Sequence, residues 1–431
     1  MHYATQGDWS VTLNKLSFSL KLGVGLLIFI SGSIKIAAAV EITSHTNSSE
    51  PVIVAFTRHT FRGPNKITPP PIPRVSNLKV QNNILAYGMD ATILGLKIAQ
   101  RLGREAYNDG ARLALKTINA DPQLAGHWSE IRPDLSTQRT FWTAVCLRKG
   151  LATASGSEIP MSACPTTEGV AIDAVSASSK SQMQCIPSQL IIQQRDLLRT
   201  QVAPRYVQLA NRLISLLGGK PDVTQANPYT SYSDIKLLSS LIEYSSDFNG
   251  STLNRVLAHP ITTSPQVNRE AVAIALDILG YNLLFSSSGL SADITAFAKI
   301  NYVNSLSNGS QKIILTHDDK ISALLQSLNL LSSQSDPDDL AVYPLETITI
   351  ALNANRVAIV RTRINIDKNG SMTGKSGFKS WIFWSGTRKE WDERVTTLQA
   401  RINSYMPVAA CLQKITPCSP VPLQLMLGET C

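Results

Sequence analysis

The 431-residue sequence contains no His-Glu-x-x-His, no Cys-x-x-Cys pair and no dense run of carboxylates, so the familiar sequence signatures of a zinc centre are missing and no metal or other cofactor is expected. Lysine and arginine outnumber acidic residues, 40 to 31, for a net charge of +9. They are scattered without a basic run or interleaved aromatics, which argues against nucleic acid as a partner and leaves a surface that attracts small anions. Leu217-Gly218-Gly219-Lys220 lacks the spacing and the following Ser/Thr of a phosphate loop, and Gly218 reads instead as a helix stop. No internal repeat is visible. Long apolar runs are scarce: Leu22–Ile34 (LGVGLLIFISGSI) is too short for a comfortable membrane span. Lys15 and Lys21 precede it and Ala37-Ala38-Ala39 follows, so residues 1–39 read as a secretory signal peptide with a long n-region. The competing reading is an N-terminal membrane anchor, which Lys35 disfavours by interrupting the apolar stretch. The expected product is an exported protein, periplasmic or secreted, without stable membrane association once the leader is cleaved. Its length and its 43% hydrophobic content allow one large or two medium domains.

What is present is a concentrated chemistry at one strand end. The apolar run PVIVAFT, Pro51–Thr57, reads as a buried strand, and Arg58-His59-Thr60-Phe61-Arg62-Gly63-Pro64 follows it directly. Guanidinium groups grip phosphate oxygens through planar forks of donors, and neutral imidazole is one of the few side chains able to attack phosphorus. A second segment, Ser136-Thr137-Gln138-Arg139-Thr140, starts a helix expected from about Thr137 to Lys149, with Ser136 as cap. An arginine in a first helical turn opposes the dipole unless an anion lies nearby or an acid such as Asp134 pairs with it. A third, Gln311–Leu330, reads as a strand over Lys312–Thr316 and an amphipathic helix over Lys320–Leu328, with His317-Asp318 at the join. Asp318 can equally be the simple cap of that helix.

The first segment resembles the R-H-G-x-R-x-P signature of the histidine acid phosphatases, the larger branch of the histidine phosphatase superfamily. Arg58, His59, Arg62 and Pro64 match it. Thr60 stands where most members carry glycine, as a polar residue also does in the family's periplasmic glucose-1-phosphatases. Arg139 resembles the family's second phosphate-binding arginine, and His317-Asp318 its His-Asp pair, although Asp319-Lys320 replaces a frequent Thr-Asn. The three segments occur in the family's order.

That resemblance implies a metal-independent phosphomonoesterase acting on small-molecule phosphate esters. His59 would be the nucleophile, forming a phosphohistidine. Arg58, Arg62, Arg139 and His317 would bind phosphate, and Asp318 would be the general acid. The alternative is a catalytically weak phosphate-ester-binding protein on the same fold, suggested by Thr60 and Asp319-Lys320.

The fold implied is α/β, a central mixed sheet flanked by helices with a smaller all-α domain inserted. The corresponding division is 40–188 and 291–431 for the α/β part and 189–290 for the helical insert. Residue patterns agree with helices over Tyr87–Arg101, Pro204–Leu217 ending at Gly218, Tyr232–Tyr244, Arg269–Leu279 ending at Gly280, and Trp391–Tyr405, and with a hairpin of Leu345–Leu352 and Arg356–Ile366 about Asn353-Ala354-Asn355. The proline-rich segment Asn65–Asn77 reads as a loop behind the nucleophile. Six cysteines in an exported chain predict disulfides. A Cys164–Cys185 bridge is implied by bacterial family members, Cys411–Cys418 would pin the C-terminal tail, and Cys146 and Cys431 remain as the least secure pair.

Overall fold

Strand β1, Val52–Arg58, has every residue buried because it lies inside a six-stranded sheet whose order is Glu130–Pro133, Gln311–Thr316, β1, Thr347–Leu352, Arg356–Ile364 and Phe378–Thr387. The computed structural model describes residues 50–60, 91, 93–133, 137–155, 164, 188–221, 223–224, 232–245, 265–365 and 377–404. Among these, β1 is followed by helices α1 (Ile93–Glu105) and α2 (Tyr107–Thr117), strand β2 (Glu130–Pro133) and helix α3 (Gln138–Ser155). A helical stretch then runs through α4 (Ser188–Leu216), α5 (Tyr232–Ser245), α6 (Pro265–Ser286) and α7 (Leu290–Ser305). Strand β3 (Gln311–Thr316), helix α8 (Asp318–Ser327), strands β4 (Thr347–Leu352), β5 (Arg356–Ile364) and β6 (Phe378–Thr387), and helix α9 (Arg388–Ser404) complete the order.

β2, β3 and β1 run parallel, whereas β4, β5 and β6 are successively antiparallel. Side chains alternate across a strand. Val54 and Phe56 therefore enter the larger core, while Ile53 packs with Ala111, Ala114 and Leu115 of α2 and with Ala351, Ala358 and Val360 of the hairpin strands. The expected hairpin is present. Its turn is held by the Asn353 side-chain oxygen, which accepts from the main-chain N–H groups of Asn355 (3.0 Å) and Arg356 (2.9 Å).

Several expected helix boundaries differ: α1 reaches Glu105 rather than Arg101, α3 reaches Ser155 rather than Lys149, and α6 and α9 begin at Pro265 and Arg388 rather than Arg269 and Trp391. α4 begins at Ser188 and passes through Pro204 rather than starting there, so the proline sits inside the helix. At its C-terminus Gly218 adopts φ +76°, and the N–H of Gly219 bonds the carbonyl of Ile214 at 2.9 Å, an ending of the expected kind. Gly280 is not a stop, because α6 continues to Ser286. Its missing side chain serves close packing instead: a β-carbon there would lie 2.8 Å from the main-chain N of Ala341 and the carbonyl of Pro337.

The cysteine pairing also differs. Cys146, wholly buried on α3, is bridged to Cys164, with Cα atoms 4.9 Å apart. Each sulfur forms one such bond, so the Cys164–Cys185 pairing and the leftover Cys146–Cys431 pairing are both replaced. Chain that leaves α3 after Ser155 returns to the helix it came from, a reversal that sequence spacing does not encode. Cys185, Cys411, Cys418 and Cys431, with the 1–39 leader and the Asn65–Asn77 loop, lie outside the described residues.

Candidate active site

Parallel pairing brings the motif segments together. β1 and β3 run side by side in register, with Arg58 opposite Thr316, so both strands deliver their next residues to the same sheet edge. Ligands of open α/β sheets bind outside the carboxyl ends of such strands. The N–H of His59 donates to the carbonyl of Thr316 at 3.0 Å, and the His59 and His317 rings meet edge to face with centroids 5.2 Å apart. β2, on the far side of β3, points the same way and leads into α3. The first turn of α3 supplies Arg139, buried, whose Nη2 lies 3.5 Å from Nδ1 of His317.

His59 is 2% exposed. Its Nδ1 lies 2.7 Å from the carbonyl oxygen of Thr60. A carbonyl only accepts, so the proton resides on Nδ1 and the lone pair on Nε2. Burial first, then the charges of His317, Arg139 and Arg58, hold the His59 imidazole well below its ordinary pKa, outweighing the Thr60 carbonyl that favours protonation. The neutral form of the ring is therefore favoured.

Arg58 meets several acceptors among the described residues. Nη1 donates to Oε1 of Glu243 at 2.6 Å and to the carbonyl of Val342 at 2.5 Å, and Nη2 lies 3.0 Å from Oδ2 of Asp318. The cap of α8 is His317, not Asp318, in extended backbone conformation and without a side-chain capping bond. Asp318 is the first residue of the helix, and its Oδ1 accepts from the N–H of Asp319 at 3.0 Å. A carboxylate in a first turn is favoured by the helix dipole. Its side chain is 31% exposed, open enough to exchange protons with solvent.

Two supports fix the turn after β1. Thr143 of α3 is buried; its hydroxyl accepts from the N–H of Thr60 at 3.1 Å and donates to the carbonyl of Arg139 at 2.5 Å, tying nucleophile turn to arginine helix. On the other side the N–H of Arg58 donates to the carbonyl of Glu346 at 2.8 Å, and Leu345, at φ +62°, directs its N–H to the carbonyl of His59 at 3.4 Å. Glu346 is fully buried against Arg361 of β5, 2.5 Å from Nη2 and 2.6 Å from Nε, with Nε of Arg363 at 3.4 Å.

Five of the six site residues read from sequence therefore converge: Arg58, His59, Arg139, His317 and Asp318. Arg62 lies outside the described residues, as does Asp134, the alternative partner of Arg139. Glu243, Glu346 and Arg361 were not anticipated. Glu243 had a readable signal, since it is a lone acid on the face of α5 that also carries the buried Ile235, Leu238, Ser239 and Ile242. Glu346 had none, standing singly before an apolar strand, and although Arg361 and Arg363 recur at the two-residue period of β5, nothing near them in sequence points to Glu346 as their partner.

No family model and no curated protein matches the sequence. Solved structures do match. The apo form of the Hafnia alvei phytase superposes with a TM-score of 0.53 at 12% identity, over 82% of this chain and 98% of that one. The Citrobacter braakii phytase gives a TM-score of 0.52 at 12% identity, over 81% and 97%. The Hafnia alvei phytase in complex with myo-inositol hexakis sulphate gives 0.50 at 11% identity, over 81% and 98%. At such identities the likeness speaks of the fold alone, a mixed sheet with helices of the α/β histidine phosphatase kind.

Proposed function

We propose that the protein is an exported phosphatase that hydrolyses phosphate monoesters through a phosphohistidine at His59. The observation that carries this reading is the buried, neutral His59, proton on Nδ1, packed against His317 and within the field of Arg58 and Arg139. Nε2 of His59 attacks phosphorus as the ester P–O bond breaks, and Asp318, protonated, gives its proton to the departing oxygen. Arg58, Arg139, His317 and, from the signature, Arg62 stabilise the charge spread over the non-bridging oxygens. Asp318, now a carboxylate, takes a proton from the water that attacks phosphorus. Inorganic phosphate leaves and His59 is regenerated.

Asp318 must cycle between protonated and ionised forms, which favours an acidic working pH. The Cys146–Cys164 disulfide suits an oxidising compartment, consistent with a secretory or periplasmic address. No helix of the described residues is long and apolar enough to cross a membrane. The division into an α/β part and a helical insert over 189–290 belongs to the same proposal, and α5 of that region supplies Glu243. The phytases that share the fold make phosphate esters of polyols and sugars the substrates to try first.

The deciding experiment is hydrolysis of a generic aryl phosphate at about pH 5 without added metal, wild type against His59→Ala. Loss of turnover in the variant is expected. Undiminished activity removes the nucleophile assignment. Phosphate binding without turnover over a broad substrate panel would instead favour the weakly catalytic binding protein, for which Thr60 and Asp319-Lys320 speak.

A further inference from the structure

Glu243 occupies a position the phosphatase chemistry does not require. It is 4% exposed, comes from α5 far from the strand ends in sequence, and places Oε1 2.6 Å from Nη1 of Arg58. With the Val342 carbonyl it secures the Nη1 end of the guanidinium, and the Nη2 end is the one beside Asp318. We propose that Glu243 is a positioning residue of the phosphate site: it anchors Arg58, and its negative charge weakens the hold of the site on phosphate so that the product departs. The inference rests on the phosphatase reading above.

The physical basis has two parts of opposite sign. Anchoring restricts a long side chain to one orientation, which favours a bound anion. Charge does the reverse. With charge-assisted bonds of about 2.8 Å on either side of one guanidinium, a phosphate gripped by Arg58 sits on the order of 6 Å from the Glu243 carboxylate. At that separation in a partly screened site, two like charges oppose each other enough to change an affinity by roughly tenfold. Beside Asp318, which meets the Nη2 end of Arg58, a buried acid at the Nη1 end offsets the pull of Arg58, Arg139 and His317 on phosphate, and an enzyme that must release its product gains from that.

Glu243→Gln separates the two parts, because glutamine keeps the acceptor oxygen and removes the charge. Inorganic phosphate binding, measured by calorimetry without turnover, is expected to tighten about tenfold in Glu243→Gln. Glu243→Ala, which removes the anchor as well, should not share the gain. A Glu243→Gln protein that binds phosphate no more tightly than wild type overturns the inference while leaving the phosphatase reading intact. A wild-type protein that does not bind phosphate at all overturns both. Arg58→Gln supplies an independent arm that leaves no buried unpaired arginine: adding Glu243→Gln to it should strengthen phosphate binding over Arg58→Gln alone, and equal binding by the two overturns the inference.

Discussion

The main-chain N–H of His59 is bonded to the carbonyl of Thr316, 3.0 Å away, so the residue after β1 and the residue after β3 are held as neighbours by the sheet itself. The two imidazoles face one another because their backbones continue one parallel ladder. Burial of His59 beside His317, Arg139 and Arg58 is the consequence, and its low proton affinity follows from that burial.

This gives a stability prediction with a defined sign. The folded pKa of His59 lies below its unfolded value near 6.5, so as pH falls through that value the unfolded chain binds a proton that the folded chain excludes. Stability from the neutral buried ring is complete above about pH 6.5 and is lost below it, by roughly 1.4 kcal/mol per pH unit until the folded pKa is reached. Denaturant titrations between about pH 7 and 5 should show a steeper loss for wild type than for His59→Ala. Parallel pH profiles would mean that the ring titrates normally.

Asp318→Asn should cripple esters with poor alkoxide leaving groups far more than activated aryl esters, whose oxygen needs little protonation. Arg139→Ala should harm both, by an amount commonly on the order of a few kcal/mol for such contacts. Single-turnover rates make the comparison, because slow hydrolysis of the phosphoenzyme then cannot mask the first step. Equal losses for both ester types in Asp318→Asn would leave Asp318 as an organiser of Arg58 and the first turn of α8.

Glu346 shares its fully buried carboxylate between Arg361 and Arg363 while its carbonyl holds the N–H of Arg58. Glu346→Ala takes the close carboxylate from the fully buried Arg361, which keeps only Asp339 at 3.8 Å, while Arg363 retains Asp338 at 2.9 Å, and a loss of about 3–5 kcal/mol is expected in equilibrium unfolding. Replacing the closest pair together, Arg361→Met with Glu346→Leu, should cost less than the single change. An additive result would show that the pair does not act as a unit.

Cys146→Ser should lower stability by about 2–4 kcal/mol, since the bridge closes a loop with a sequence separation of 18. Cys185→Ser should leave that bridge in place. Equilibrium unfolding reads the first outcome and peptide mapping of the non-reduced protein the second, and a Cys164–Cys185 peptide would contradict the pairing.

Much of the site was written locally. The apolar run before Arg58, the stop at Gly218 and the turn about Asn353 depend on residues next to one another in the chain, and short-range patterns report such structure directly. The adjacency of Arg58 with His59 and of His317 with Asp318 needed no fold to be seen, and the strand before each pair placed both at strand ends. β6 was less legible. Its Trp381, Phe383 and Trp384 are only half-buried, and a bulge opposite Ile359/Val360 breaks the alternation that marks a strand.

Which strand ends carry the arginine, histidine and aspartate side chains of the proposed chemistry could be read from the chain, because those residues are local to the strands that hold them. What surrounds them comes from the packing of elements far apart in the chain. Register between β1 and β3 sets His59 against His317; α5 brings Glu243 to Arg58; the loop before β4 lays Glu346 between Arg58 and Arg361; and the chain beyond α3 folds back to join Cys164 to Cys146. Each of these contacts joins residues distant in the chain, and a single sequence has no periodicity at that range. Gly280 shows the same limit within a helix: its neighbours suggest a stop, whereas the backbone of Pro337–Ala341 packed against it requires the missing side chain and lets the helix run on.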